Sequence, residues 1–173
     1  MRYMRSVFVP VSRWILSSLC AVLTAPALEA AEFTSVDVGT PSPAGAVSAA
    51  GNGYDVIVGG TDIGGTNDQF SFTYQMVTGD FDLQLRVDGV TLADPWSKAG
   101  MMARESLAPG SRYAAALATP GSAGAFFSAR TNTNAREITG GGFPGTYPNL
   151  WLRLKRVGDV LTAYAGVDGH NWA

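Results

Sequence analysis

Between residues 70 and 87 apolar and polar positions alternate. Phe70, Phe72, Tyr74 and Met76 are separated by Ser71, Thr73 and Gln75, and Phe81, Leu83, Leu85 and Val87 are separated by Asp82, Gln84 and Arg86. A period of two sends successive side chains to opposite faces, so this stretch predicts strands packed on one side and wet on the other. Similar short signals, punctuated by Gly, Pro, Asn and Asp, predict strands over 34–38, 46–48, 54–58, 70–77, 81–90, 98–105, 112–118, 125–130, 150–157 and 160–167. No stretch reads as a helix of useful length. Residues 96–117 read as a hairpin reversed at Pro109-Gly110, with Ala99, Met101 and Ala103 on one face of its first strand and Lys98, Gly100, Met102 and Arg104 on the other. On its return strand Tyr113, Ala115 and Leu117 form the apolar face. A buried strand rarely keeps two cations on one side, so the Lys98/Arg104 face is expected to look at water or a ligand. Gly158-Asp159 predicts a two-residue, glycine-first hairpin turn, and residues 131–149, with Gly140-Gly141-Gly142 and two prolines, predict a long surface loop.

The pattern amounts to an all-β antiparallel sandwich of two sheets. Composition agrees: among 173 residues, 21 glycines, 9 prolines and 15% charged residues suit a turn-rich β protein, and 46% hydrophobic content argues against disorder. The length gives one domain with a real core.

The first thirty residues differ from the rest. Arg2, Arg5 and Arg13 precede an apolar run over 14–23, followed by Thr24-Ala25-Pro26-Ala27-Leu28-Glu29-Ala30-Ala31. This is the order of a secretory signal peptide, too short in its apolar part to span a bilayer, with cleavage expected after Ala27 or Ala30. The mature chain, from about residue 31, is then secreted, periplasmic or at the cell surface, with no membrane anchor once the leader is removed. Cys20, the only cysteine, falls inside the leader. The mature chain would therefore have neither disulfide nor thiolate metal site.

Charge is divided along the chain. Residues 32–94 hold nine acids against Arg86 alone, and residues 95–173 hold eight bases against Glu105, Glu137, Asp159 and Asp168. If the two halves interleave in one sandwich, opposite charges become neighbours. A nucleic-acid surface is disfavoured, since the only basic run is Lys155-Arg156 and the net charge is −2.

Several strings resemble one family. Asp62-Ile63-Gly64-Gly65 with Asp68 and Phe70, Tyr74-Gln75, Gly79-Asp80-Phe81-Asp82 and Arg86-Val87 are part of the match. So are the string from Trp96 to Glu105 (Trp-Ser-Lys-Ala-Gly-Met-Met-Ala-Arg-Glu), Trp151-Leu152-Arg153-Leu154-Lys155-Arg156, and Asp168-Gly169 with Trp172. Together they resemble the concanavalin A-like, laminin G-like domains of the regulation-of-enolase type, modules of poorly defined role in secreted multidomain bacterial proteins. The resemblance implies a jelly roll of two curved antiparallel sheets within a larger protein. Because such domains carry further strands after the Asp-Gly…Trp segment, it also implies that residues 31–173 lack their final strands. Fold alone does not fix function.

The candidate chemistry is sparse. Asp80 and Asp82 share a strand face and are the nearest approach to a glucanase carboxylate pair, but Asp80 sits at a turn and no glutamate stands nearby as the acid. His170, the single histidine, allows neither a histidine zinc site nor a Ser-His-Asp triad. Asp62, Asn67 and Asp68 bracket Gly64-Gly65 and could offer oxygen ligands to calcium, with a local Asx turn the plainer reading. No other cofactor is expected. The wet sheet face carries more: Asp82, Gln84, Arg86, Lys98, Arg104, Arg112, Arg130 and Arg153 alternate away from the apolar side. Trp96 and Trp151 stand at its margins to stack on sugar rings. A cross-strand ladder of salt bridges, with both tryptophans in packing, accounts for the same residues. The expectations are therefore a non-catalytic module binding polysaccharide on a curved sheet face, or a structural or adhesion module contacting proteins or cell-surface polymers, with a glucanase third.

Overall fold

The computed structural model describes residues 3–7, 33–121 and 123–173. The leader expected over 1–30, with its cleavage sites and Cys20, lies outside them except for 3–7. The described residues are all-β, with no helix, 49% strand and several antiparallel sheets. Twelve strands follow one another: β1 Tyr3–Val7, β2 Thr34–Val38, β3 Ala46–Ala50, β4 Gly53–Ile57, β5 Phe70–Tyr74, β6 Phe81–Gly89, β7 Ala99–Arg104, β8 Tyr113–Ala118, β9 Ala125–Arg130, β10 Ile138–Phe143, β11 Leu150–Val157 and β12 Val160–Gly166. They form a six-stranded sheet in the order β12-β11-β6-β1-β4-β3, a four-stranded sheet β10-β9-β8-β7, and the pair β2-β5.

The main core lies between the first two sheets. Leu85 and Val87 of β6 and Leu150, Leu152 and Leu154 of β11 face Ala99 and Met101 of β7, Ala116 and Ala118 of β8, and Ala125 of β9. Large side chains on one sheet thus meet mostly small ones on the other, which lets the layers approach closely. Each fully buried leucine contributes about 2 kcal/mol from apolar area removed from water.

A second core lies on the opposite face of the four-stranded sheet. Val38 of β2, Phe70 of β5 and Ile63 of the segment before it pack there on Tyr113, Ala115 and Leu117, with Met102 and Phe126 beside them. All six residues of β8 are buried, because this strand is covered on both sides. The Lys98/Arg104 face, expected to look at water or a ligand, is instead largely covered by protein, with the Arg104 side chain 2% and that of Lys98 12% exposed. Residues 58–70 and the β2-β5 pair lie over it, and the face is half apolar because Met102 and its neighbours across the ladder need cover.

Residues 131–149, expected as loop, contain β10, which pairs with β9 through Ile138–Ala129, Thr139–Ser128 and Gly140–Phe127. Its backbone supplies the ladder bonds while three glycines supply no side chain. The glycine-first turn between β11 and β12 is present, with Gly158 at φ 58°.

Candidate functional site

The ten residues expected to line one groove fall in three places. Asp82, Gln84 and Arg86 of β6 and Trp151 and Arg153 of β11 share the outer face of the six-stranded sheet, paired as Arg153–Gln84 and Trp151–Arg86. There Arg153 donates to both Asp82 oxygens, at 2.7 and 2.5 Å, and its guanidinium lies 5.5 Å from the ring centres of both Tyr164 and Trp172. The Arg153 hydrogen bonds hold the Asp82 carboxyl below its ordinary range. Arg86 donates to Asp88 at 2.7 Å. Trp151 is half-buried with Gly169 against its ring, where an added Cβ would come within 3.0 Å. Asp80, the other acid of the glucanase pair, accepts from the Gly158 amide at 2.7 Å. This face holds one cross-strand ion pair, Arg153–Asp82, and one pair within β6, Arg86–Asp88, so its carboxylates are already engaged.

Arg112 stands apart, exposed, and donates to both oxygens of Glu105 at 2.8 and 2.7 Å.

Trp96, Lys98, Arg104 and Arg130 belong to the outer side of the four-stranded sheet, where two of them are buried. Asp68 is fully buried and receives Arg130 through two N–H groups, at 2.9 and 2.8 Å, and Arg104 through one at 3.2 Å. It also accepts from the Gly64 amide at 3.0 Å. The Arg130 side chain is 0% exposed and that of Arg104 is 2%. Arg130 further donates to the carbonyls of Gly64, Gly65, Pro109, Ser111 and Ala135, and lies 5.0 Å over the Tyr113 ring. The hydrogen bonds it donates to Asp68 push the Arg130 guanidinium up, whereas burial pushes Arg104 down. Arg130 is therefore the principal partner of the carboxylate. This knot pins the covering segment 58–70 onto the sheet.

The calcium set does not fit an ion. Both Asp68 oxygens are taken by guanidinium N–H groups, and Asp62 accepts from Lys98 Nζ at 2.5 Å. Among the described residues no group of three or more His, Cys, Asp or Glu could hold a metal.

Where the covering segment ends, the outer face of the sheet stays open. A groove of about 510 Å³ is lined by Asp62, Trp96, Lys98, Phe126, Glu137, Thr139 and the neighbouring Ala123 and glycines of β10. Its size is within the range of small-ligand sites. Pairing builds it: Phe126 of β9 faces Leu117, Ser128 faces Ala115, and Thr139 of β10 lies opposite Ser128, all on the outward side. Glu137 precedes Ile138 and, by alternation, faces the same way as Thr139. Trp96 is 54% exposed at the rim. Lys98 donates to Asp62 and to the Ile63 carbonyl, at 2.5 and 2.9 Å, so the ammonium is held at the edge of the space. Gly64 lets both carboxylates come close, since a Cβ there would lie 3.0 Å from Glu137 Oε1 and 3.4 Å from Asp62 Oδ2. The buried Oε2 of Glu137 has no hydrogen-bond partner among the described residues.

Of the residues singled out in the sequence, Trp96, Lys98 and Asp62 meet in this groove. Glu137, Thr139 and Phe126 join them without having been expected. The alternation Glu137-Ile138-Thr139 was the available signal, obscured by the glycines that follow.

Comparison with protein-family models, curated proteins and solved structures finds no match for this chain.

Proposed function

We propose that this chain is an exported, non-catalytic accessory module of a larger protein, built as a concanavalin A-like jelly roll, which binds carbohydrate in the groove beside Trp96. The observation that carries the reading is an indole left half in solvent at the rim of a polar groove. A tryptophan without function would gain from burial, and an exposed flat ring beside hydrogen-bonding groups suits the apolar face of a pyranose. Lys98, Asp62, Glu137 and Thr139 supply donors and acceptors for the sugar's hydroxyls. The laminin G-like resemblance and the leader-like first thirty residues support the same assignment to a secreted module.

Affinity electrophoresis through gels holding single polysaccharides tests it. The protein should be retarded by at least one, and Trp96→Ala should migrate freely while keeping its far-ultraviolet spectrum and melting temperature. No retardation by any polysaccharide, or equal retardation of Trp96→Ala, overturns the proposal.

A second observation favours the adhesion reading. An apolar cleft of about 410 Å³ runs beside β5 and β7, lined in part by Phe72, Tyr74, Phe81, Leu83, Met102 and Leu107. Met76 on its edge is 88% exposed. Exposed apolar surface of this kind marks contact with other macromolecules. On that reading Met76→Asp weakens attachment to a protein partner and leaves polysaccharide retention unchanged.

A further inference from the structure

We propose that the place held by β1 in the six-stranded sheet is an acceptor slot for a strand of another protein, opened when export removes the leader. The inference rests on the export reading above and goes beyond the sugar groove.

β1 links two parts of its sheet. The strands run β12-β11-β6-β1-β4-β3, so among the described residues the β3-β4 hairpin joins β6 only through residues 3–7. β1 is antiparallel to both neighbours. It pairs Tyr3 with Ile57 and Met4 with Val56 on one side, and Arg5 with Gly89 and Val7 with Arg86 on the other. Cleavage after Ala27 or Ala30 takes this strand away. β4 and β6 would then stand two strand spacings apart, about 9–10 Å, too far to pair directly. Their facing N–H and C=O groups would lose their partners beside the main core, where Val87 is fully buried.

Nor does β1 fill the slot. Its pairing to β6 carries a register shift between Arg5 and Val7 and ends at Arg86. From Phe81 to Leu85, β6 pairs with β11 on one side and, among the described residues, with no strand on the other. That open edge runs along the apolar cleft of about 410 Å³, where Phe81, Leu83 and Leu85 meet Val56, Phe72 and Met101. A strand continuing on the line of β1 would pair with this edge and send alternate side chains into the cleft. The leader is ill suited to do so, because Pro10, three residues beyond β1, brings no N–H to a ladder.

These neighbours specify the occupant. It is an extended segment antiparallel to β4 and β6, about nine residues long to match Phe81–Gly89, apolar at alternate positions and without proline. Ladder bonds to the two flanking strands give affinity, and the cleft selects the alternate side chains. A second copy of the mature chain has no strand to spare, since β2 to β12 are each already paired in their own sheets. The strand therefore comes from a different protein.

The test uses the full chain exported through its leader, with intact mass fixing where the product begins. Hydrogen exchange then follows the amides of 53–57, 81–89 and, in the other sheet, 113–118. The probes are a nine-residue peptide alternating valine and threonine between terminal lysines, and the same peptide with proline at its centre. The product should begin near residue 28 or 31. The first peptide should slow exchange in 53–57 and 81–89 by at least about tenfold, with 113–118 protected throughout, and the proline peptide should not. Full chain made in the cytoplasm, still carrying β1, should bind the first peptide at least about tenfold less tightly. A product whose 113–118 amides gain protection only with the first peptide also supports the inference, since the added strand then completes the fold. Exchange in 53–57 and 81–89 unaltered by the first peptide, or slowed equally by both, overturns the inference while leaving the carbohydrate reading standing. So does a dimeric product already protected there, which makes a second copy the occupant. A product that keeps residues 1–30 overturns the export reading and the inference with it.

Discussion

Removing the carboxylate of Asp68 should cost more stability than any other single polar substitution in this protein. Asp68→Ala leaves two guanidiniums, 0% and 2% exposed, without the one carboxylate they share. Removing one partner of a buried ion pair costs about 3–5 kcal/mol, because the remaining charge is neither paired nor hydrated. Here two charges are stranded, although the carbonyls around Arg130 soften the loss for that group. The expected cost is therefore near the upper end, about 4–5 kcal/mol. In a domain of this size it corresponds to a melting temperature lower by roughly 10–15 °C. Urea denaturation followed by tryptophan fluorescence gives the free energy, and a cycle with Arg130→Met isolates the pair. Since replacing both members by apolar groups of similar volume is often neutral, Asp68→Leu/Arg130→Met should recover part of the loss, with a coupling of about 2–3 kcal/mol. A loss below about 1 kcal/mol for Asp68→Ala, a surface-like value, would refute the argument that this knot fastens residues 58–70 to the sheet.

Other outcomes follow from single contacts. Gly100→Ala should destabilise by about 1–3 kcal/mol, because the new Cβ would fall 2.1 Å from the Ala116 carbonyl oxygen, whereas Gly121→Ala, with nothing within 4 Å, should change stability little. The Tyr147 hydroxyl donates to the Thr119 carbonyl at 2.6 Å, and burial pushes its pKa up to about 12. With the folded pKa above the unfolded value near 10, its contribution is complete below that value and is lost as pH rises through 12. Tyr147→Phe should cost about 1 kcal/mol at neutral pH and remove one late-ionising phenol from an ultraviolet titration. Asp168 accepts from the Asn171 backbone and side chain and from the His170 amide, which bring its pKa down to about 2. Its contribution to the turn holds above the ordinary carboxylate pKa and fades as pH falls through about 2, so its carboxyl carbon should titrate there by NMR and move upward in Asn171→Ala.

Strands with a clean two-residue period were legible because burial of one face leaves its mark on composition. The strand over 81–89 shows Leu85 and Val87 inward and Asp82 and Gln84 outward, and its expected and observed limits differ by a single residue. β8 was legible as a strand but not as one covered twice, since alanine at 114, 116 and 118 leaves small residues where a core face usually shows large ones. In β10 the run Gly140-Gly141-Gly142 has no side chains to alternate, so backbone pairing to β9 left no trace in the pattern. Charge told more about sums than about partners. The acidic first half and basic second half do meet, through Asp62–Lys98, Asp68–Arg130 and Asp82–Arg153. Yet Asp68, which locally looks like a turn residue, lies 36 and 62 residues from the arginines it neutralises. No local reading could have joined them. The groove was half legible for the same reason: Trp96 and Lys98 stand two residues apart, whereas Glu137 reaches them only through three successive strand pairings.

The central claim is that carbohydrate occupies the groove beside Trp96. The most direct measurement is an amide and indole chemical-shift map of the folded protein, titrated with an oligosaccharide from whichever polysaccharide retards it in gels. The account predicts that the Trp96 indole N–H and the backbone amides of Lys98, Phe126, Glu137 and Thr139 move together and saturate at one affinity. Shifts confined to Trp151, Tyr164 and Trp172 on the opposite sheet, or no saturable shift at all, would contradict it.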